Sequence, residues 1–178
     1  MALIVEVGNC DPAAESYCSV DAADLYHANL GNAAWALLSI SQKEVALRKA
    51  TNYMLQRYRE KWDGYRRTVA QALDWPRTEV RRRDAPTTYG SVRGFMLTYY
   101  SIYEVPAIVI QACAELALRS TTQDLLPDLT RKTRSESVGS LSVVYADDSS
   151  QLVKFTAIDS LLNPVLRYSG SAATIRRA

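Results

Sequence analysis

Ala46, Ala50, Met54, Tyr58 and Trp62 recur at strict fourfold spacing. A repeat of that period forms one continuous surface only on an α-helix. Leu47, Tyr53 and Leu55 thicken the stripe, and Arg48, Asn52, Gln56 and Arg59 occupy another face. Ser41 and Glu44 are spaced as a reciprocal capping box at the front. Gly64 is a natural stop. The pattern predicts an amphipathic helix of about six turns, at ~1.5 Å rise per residue.

Two further helices are expected around it. In "SVDAADLYHANLG", Ser19 can cap, Asp21 and Asp24 favour the N-terminal end, and Gly31 can end the helix. In "VPAIVIQACAELALRS", Pro106 stands near the first helical position, and Gln111, Glu115 and Arg119 form one narrow polar stripe. A helix apolar on nearly every other face is central to the core or covered by a neighbouring subunit. Cys113 in this run reads as core. "TVAQAL" reads as a short helical turn with Thr68 and Gln71 in a second box, and "TAIDSLL" as a last short helix capped by Thr156 and broken at Asn163-Pro164.

The period changes elsewhere. "ALIVEV" alternates as an edge strand does. "SESVGSLSVVYA", the turn-rich "DDSS" and the returning "QLVKF" suggest a β-hairpin, with Leu141, Val143 and Tyr145 on one face. Residues 81–104 suggest a hairpin or an irregular lid. The tail "RYSGSAATIRRA" is small, polar and basic at its tip, a composition that orders only against a partner. The fold class expected is α+β, mainly α. It is a small helical bundle in one domain over residues 1–168, with a hairpin insertion at about 133–155 and an extended tail at 169–178.

The segment "LDWPRTEVRRRD" at residues 73–84 admits two readings. Arginines beside an aromatic resemble a single-stranded nucleic-acid groove. A tryptophan held extended before a proline also makes a buried corner. The second is favoured: Trp75 folds back on the Tyr58/Trp62 end of the long helix, and Trp62, Trp75 and Pro76 form a structural corner with Arg77. Arg81, Arg82 and Arg83 are then the exposed part.

Charge patterning bounds the partners. The 178-residue chain carries a net charge of only +2, low for a protein gripping duplex DNA over a broad face. Between residues 48 and 83 the local charge is nevertheless +7, leaving −5 for the rest. The three cysteines, Cys10, Cys18 and Cys113, have no metal or CxxC spacing. Met1 to Val7 lacks the basic start of a secretory signal, and no apolar run reaches the ~18 residues of a membrane span. A protein made in a reducing cytoplasm is expected, with no membrane contact.

No catalytic constellation stands out. His27 is the only histidine and reads as structural or solvated, and Asp147-Asp148 reads as a turn. The phosphate-loop, dinucleotide, nucleophile-elbow and zinc-helix motifs are missing. The expectation is a non-enzymatic interaction module with no cofactor and no metal.

Taken in order, "ESYCSVDAADLYHANLG", "KEVALRKATNYMLQRYREKWDGYRR", "QALDWPRTEV", "VPAIVIQACAELALRS" and "VGSLSVVYA" resemble a family of tailed bacteriophages and prophages. Its members look like head–tail connector adaptors and often carry the label DnaT-like single-stranded DNA-binding protein. The resemblance covers most of the chain. It is most specific at Ser16 to Val20, at Ala72 to Arg77 and at Val138 to Leu141. The stretch from Arg81 to Glu104 is longer than the family pattern.

The resemblance implies a structural protein of the virion neck: a small helical bundle assembled as a ring, twelvefold in the family, between the portal and a downstream tail or stopper protein. Genomic DNA would pass through it without sequence-specific contact. The residues assigned on this basis to subunit or portal contacts are Val138, Gly139, Leu141, Val143, Tyr145, Ile175, Arg176 and Arg177. Arg66, Arg67, Arg81, Arg82 and Arg83 would meet DNA or a protein partner. The alternative is a single-stranded DNA-binding protein, which requires exposed aromatics such as Tyr65, Tyr89, Tyr99 and Tyr100 along the basic stretch.

Overall fold

A computed structural model describes residues 2–85, 98–128 and 153–167, together with the backbone of four short strands beyond them. Among the described residues the architecture is a mainly helical bundle. Helix α1 spans Val20–Asn29, α2 Ala33–Ala36, α3 Ile40–Tyr58, α4 Ala107–Arg119 and α5 Thr156–Leu162, which runs into a 3-10 turn at Asn163–Val165. Three two-stranded antiparallel pairs join β1 (Tyr65–Arg66) to β2 (Arg77–Thr78), β3 (Thr88–Tyr89) to β4 (Phe95–Met96), and β5 (Ser135–Val138) to β6 (Leu141–Val144).

The core is the face shared by α3 and α4. All five residues of the fourfold stripe on α3 and its extension are buried, as are Val109, Ala112, Cys113, Leu116 and Ala117 of α4. The two helices run in opposite senses: Thr51 Oγ1 meets Cys113 Sγ at 3.4 Å, and Ser120 Oγ, one turn after Leu116, reaches the carbonyl of Ala46 at 3.4 Å. Tyr58 is pinned from α5 by a 2.6 Å bond from its hydroxyl to Asp159.

Several boundaries differ from the sequence expectation. The capping box on α3 is Ser39 with Gln42, so the helix starts two residues earlier than the Ser41–Glu44 spacing predicts. Glu44 instead accepts from the backbone of Leu3 and pairs with Arg48. The helix ends at Tyr58, and Trp62 enters a bridge with Leu166. Pro106 is the N-cap of α4 rather than its first residue, and Thr156 opens α5 with no side-chain cap at Phe155. In the β5–β6 pair Val138 stands opposite Leu141; "DDSS" lies outside the described residues, and Val153 to Phe155 form no strand.

The N-terminal segment makes one isolated parallel bridge, Val5 with Ser16, and not a strand. The reason is Glu6. Its buried carboxylate accepts from the backbone N–H groups of Gly8, Cys10 and Asp11 at 2.7, 3.0 and 2.8 Å. Three charge-assisted bonds to the amides of residues 8, 10 and 11 curl the chain locally and remove those donors from any ladder. Thr68 and Gln71 likewise form both bonds of their box, at 2.9 and 3.2 Å, but no helix follows. The Gln71 amide turns inward to the carbonyls of Leu73 and Pro76.

Candidate functional site

The chain leaving α3 builds a corner. Gly64, at φ +62°, makes the turn that brings β1 against β2; a Cβ there would stand 2.0 Å from the carbonyl oxygen of Thr78. The Trp75-Pro76 peptide is cis, and both residues are buried. Aromatic rings run through the corner. Tyr58 and Trp62 lie 5.7 Å apart, Trp62 and Trp75 meet edge-on at 5.8 Å, and Trp75 meets Tyr100 at 6.4 Å. Trp62 and Trp75 are both 0% exposed, so neither offers a face to a base.

Arg77 locks this corner from inside. Its guanidinium donates to the carbonyls of Asp63, Gly64 and Asp74 at 2.8, 2.8 and 3.1 Å. The side chain is buried, and burial lowers its pKa against the opposing pull of Asp74. The Asp74 carboxylate is itself buried and pairs with Arg59 at 3.2 Å, while its backbone N–H donates to the Tyr17 hydroxyl. Sequence placed Arg77 at the corner; it gave no sign that Asp63 and Gly64 would supply the acceptors.

Outside the corner, residues 80–82 run antiparallel beside residues 98–100. Tyr100 N–H donates to Val80 at 2.9 Å, Arg82 N–H to Thr98 at 2.7 Å, and Arg81 bridges Tyr99. Arg82 lies 4.4 Å over the Tyr100 ring and bonds Glu104 at 3.1 Å. Arg67 lies 4.0 Å over the Tyr103 ring and donates to the carbonyl of Gly8 at 3.1 Å. Arg83 turns the other way, to the carbonyls of Asn163 and Leu166 and to Asp63 at 3.7 Å. Arg66 donates to the carbonyl of Gln71. Tyr65 and Tyr103 are each 64% exposed, and Tyr99 is 47% exposed.

The surface is therefore of mixed sign. Exposed Glu79 and Asp84 flank the arginines, and Glu104 sits among them. Each stacked guanidinium is pre-oriented by its ring and keeps edge N–H groups for a second acceptor. Of the sequence candidates, the structure stacks Arg82 on Tyr100, bridges Arg81 to Tyr99, and stacks Arg67 on Tyr103, a ring that sequence reasoning missed. Val138, Leu141 and Val143 belong to the β5–β6 pair, with side chains outside the described residues. Gly139, Tyr145, Ile175, Arg176, Arg177 and the Tyr89 side chain also lie outside them.

A second polar cluster lies at the other end of the bundle. His27 donates from Nε2 to the Ala114 carbonyl at 3.0 Å and accepts at Nδ1 from Asn32 at 3.0 Å. That pattern fits the neutral ring, and burial lowers its pKa. The Asp24 carboxylate accepts from Trp35 Nε1 at 2.6 Å and from Lys43 at 2.9 Å. This ties α2 across α1 and α3. Among the described residues, no three His, Cys, Asp or Glu side chains converge as metal ligands. No helix among them is long and apolar enough to cross a membrane.

The family described as "Putative DnaT-like ssDNA binding protein" has a model that matches residues 1–178. No curated protein and no solved structure matches the chain. The match spans the whole length, and the chain belongs to this family.

Proposed function

We propose that this member of the DnaT-like family is a structural head–tail adaptor of a tailed phage. In this reading it is not an enzyme. Copies form a ring, twelvefold by the family resemblance, in the virion neck. The ring joins the portal to a downstream tail or stopper protein and surrounds the DNA channel. The observation that carries the reading is the fate of the basic, aromatic stretch. Trp75 and Arg77 are buried in the corner, the rings of Tyr100 and Tyr103 are each covered by an arginine, and carboxylates stand among the remaining cations. On such a surface two of the rings are already stacked by arginines, and both signs of charge are present. It suits a protein contact, and it leaves passing DNA unheld.

The test is to mix the chain with the portal protein of the same genome and follow mass by light scattering and shape by negative-stain imaging. A ring capping the portal is expected, and deletion of residues 169–178 should weaken docking. A chain that leaves the portal bare would refute the reading.

Binding to single-stranded DNA is the second reading. It draws on the family's description and on the exposed rings of Tyr65, Tyr99 and Tyr103 beside Arg66 and Arg81. It requires bases to stack on those rings and affinity to fall steeply with salt.

A further inference from the structure

We propose that the cavity beside α2 is a binding site for a small neutral molecule that carries a carboxamide on a flat apolar body. The site does not depend on the ring. The cavity encloses about 420 Å³ among α1, α2 and the start of α3. Small-molecule sites begin near ~300 Å³ and are mostly apolar, with a few placed polar groups. Here the walls are the methyl groups of Ala28, Ala33 and Ala36 and the Trp35 ring, with the His27 ring 4.7 Å from it. His27 has both ring nitrogens bonded, to Ala114 and Asn32, so it presents no free polar atom. The charged groups of the cavity are the Lys43–Asp24 ion pair.

That pair does not exhaust its own bonding capacity. Lys43 Nζ reaches the two carboxylate oxygens of Asp24 at 2.9 and 3.1 Å, and Trp35 Nε1 donates to Oδ1 at 2.6 Å. An ammonium has three N–H donors and a carboxylate about four acceptor positions. Among the described residues, Lys43 therefore keeps an N–H, and Asp24 keeps a position on Oδ2. The Lys43 side chain is 10% exposed and that of Asp24 43%, so the spare donor is largely desolvated while the acceptor beside it is open. A donor and an acceptor side by side match a carboxamide, whose C=O accepts from Lys43 and whose N–H donates to Asp24. Charged groups fit worse. A carboxylate on Lys43 would stand against Asp24, and an ammonium on Asp24 would stand against Lys43. The indole and methyl walls suit a flat apolar body. The pair is fixed in advance between α1 and α3 and by Trp35, so binding need not order it.

The test uses the 178-residue chain and benzamide as the probe. The titration is followed through the indole N–H resonance of Trp35, the proton that Asp24 accepts. A saturable shift is expected. Benzoate and benzylamine keep the ring but carry a charge. Each should bind at least about ten-fold more weakly, because each loses a hydrogen bond to a charged group and sets like charges together. Ala36→Leu enlarges an exposed wall residue and leaves the ion pair in place. It should weaken benzamide by about ten-fold through lost volume, with an unchanged thermal midpoint. No saturable shift at Trp35, equal binding of the three probes, or a benzamide affinity untouched by Ala36→Leu would each overturn the proposal.

Discussion

Arg77 and Arg82 stand five residues apart in one basic stretch and do opposite things. Arg77 is buried, with its donors spent on three backbone carbonyls of the chain that surrounds it. Arg82 lies on the surface, stacked on Tyr100 and paired with Glu104, and keeps donors for a partner. Between them the chain leaves the core: Val80 is still buried, and Arg81 and Arg82 are exposed. A run of arginines is therefore no unit of function, because the fold assigns each one its own dielectric and its own acceptors.

The comparison is broken most severely by Trp75→Ala. The ring is fully buried between Trp62 and Tyr100, so its loss should cost about 4 kcal/mol, as large-to-small core changes do. Urea unfolding would show it as a shifted midpoint. Arg77→Leu is expected to cost about 3 kcal/mol, since it leaves the carbonyls of Asp63, Gly64 and Asp74 without their charged donor. The sharpening counterpart is Arg82→Ala. An exposed pair and one cation–π contact predict a loss under about 1 kcal/mol. The thermal midpoint should barely move while association with a partner falls.

A smaller effect, readable by titration, concerns the far end. The folded-state pKa of His27 lies below its ordinary value, because burial disfavours the charged ring. The unfolded chain then binds more protons, so this contribution to stability is complete above about pH 6.5 and is lost as pH falls toward the folded-state value. Melting temperature should decline on acidification through that window, and His27→Gln should flatten the slope.

Much of this was legible in the sequence. The α3 stripe, the Ser19 cap, the polar line Gln111, Glu115 and Arg119, and the packing of Trp75 on Trp62 all follow from periodicity and from the residue before a proline. What was not legible is where polar side chains spend their bonds. Glu6 in an alternating apolar run predicts a strand; three amides folded around its carboxylate make a loop. Thr68 and Gln71 have helix-cap spacing, but the amide of Gln71 is claimed by the corner. Ser39 outcompetes Ser41 as the cap of α3 because Glu44 is engaged by Leu3 and Arg48. The stack of Arg67 on Tyr103 joins residues far apart in the chain, and no local pattern announces it.

The central claim is that the arginine–tyrosine surface meets protein and not bases. Its most direct test is a fluorescence titration of the wild-type chain with a short single-stranded DNA at low and at moderate salt. The account predicts no saturable binding at either, with the tyrosine emission unchanged. Saturable binding that quenches the tyrosines, prefers single strands to duplex and weakens steeply with salt would contradict it, and would make the surface a nucleic-acid site.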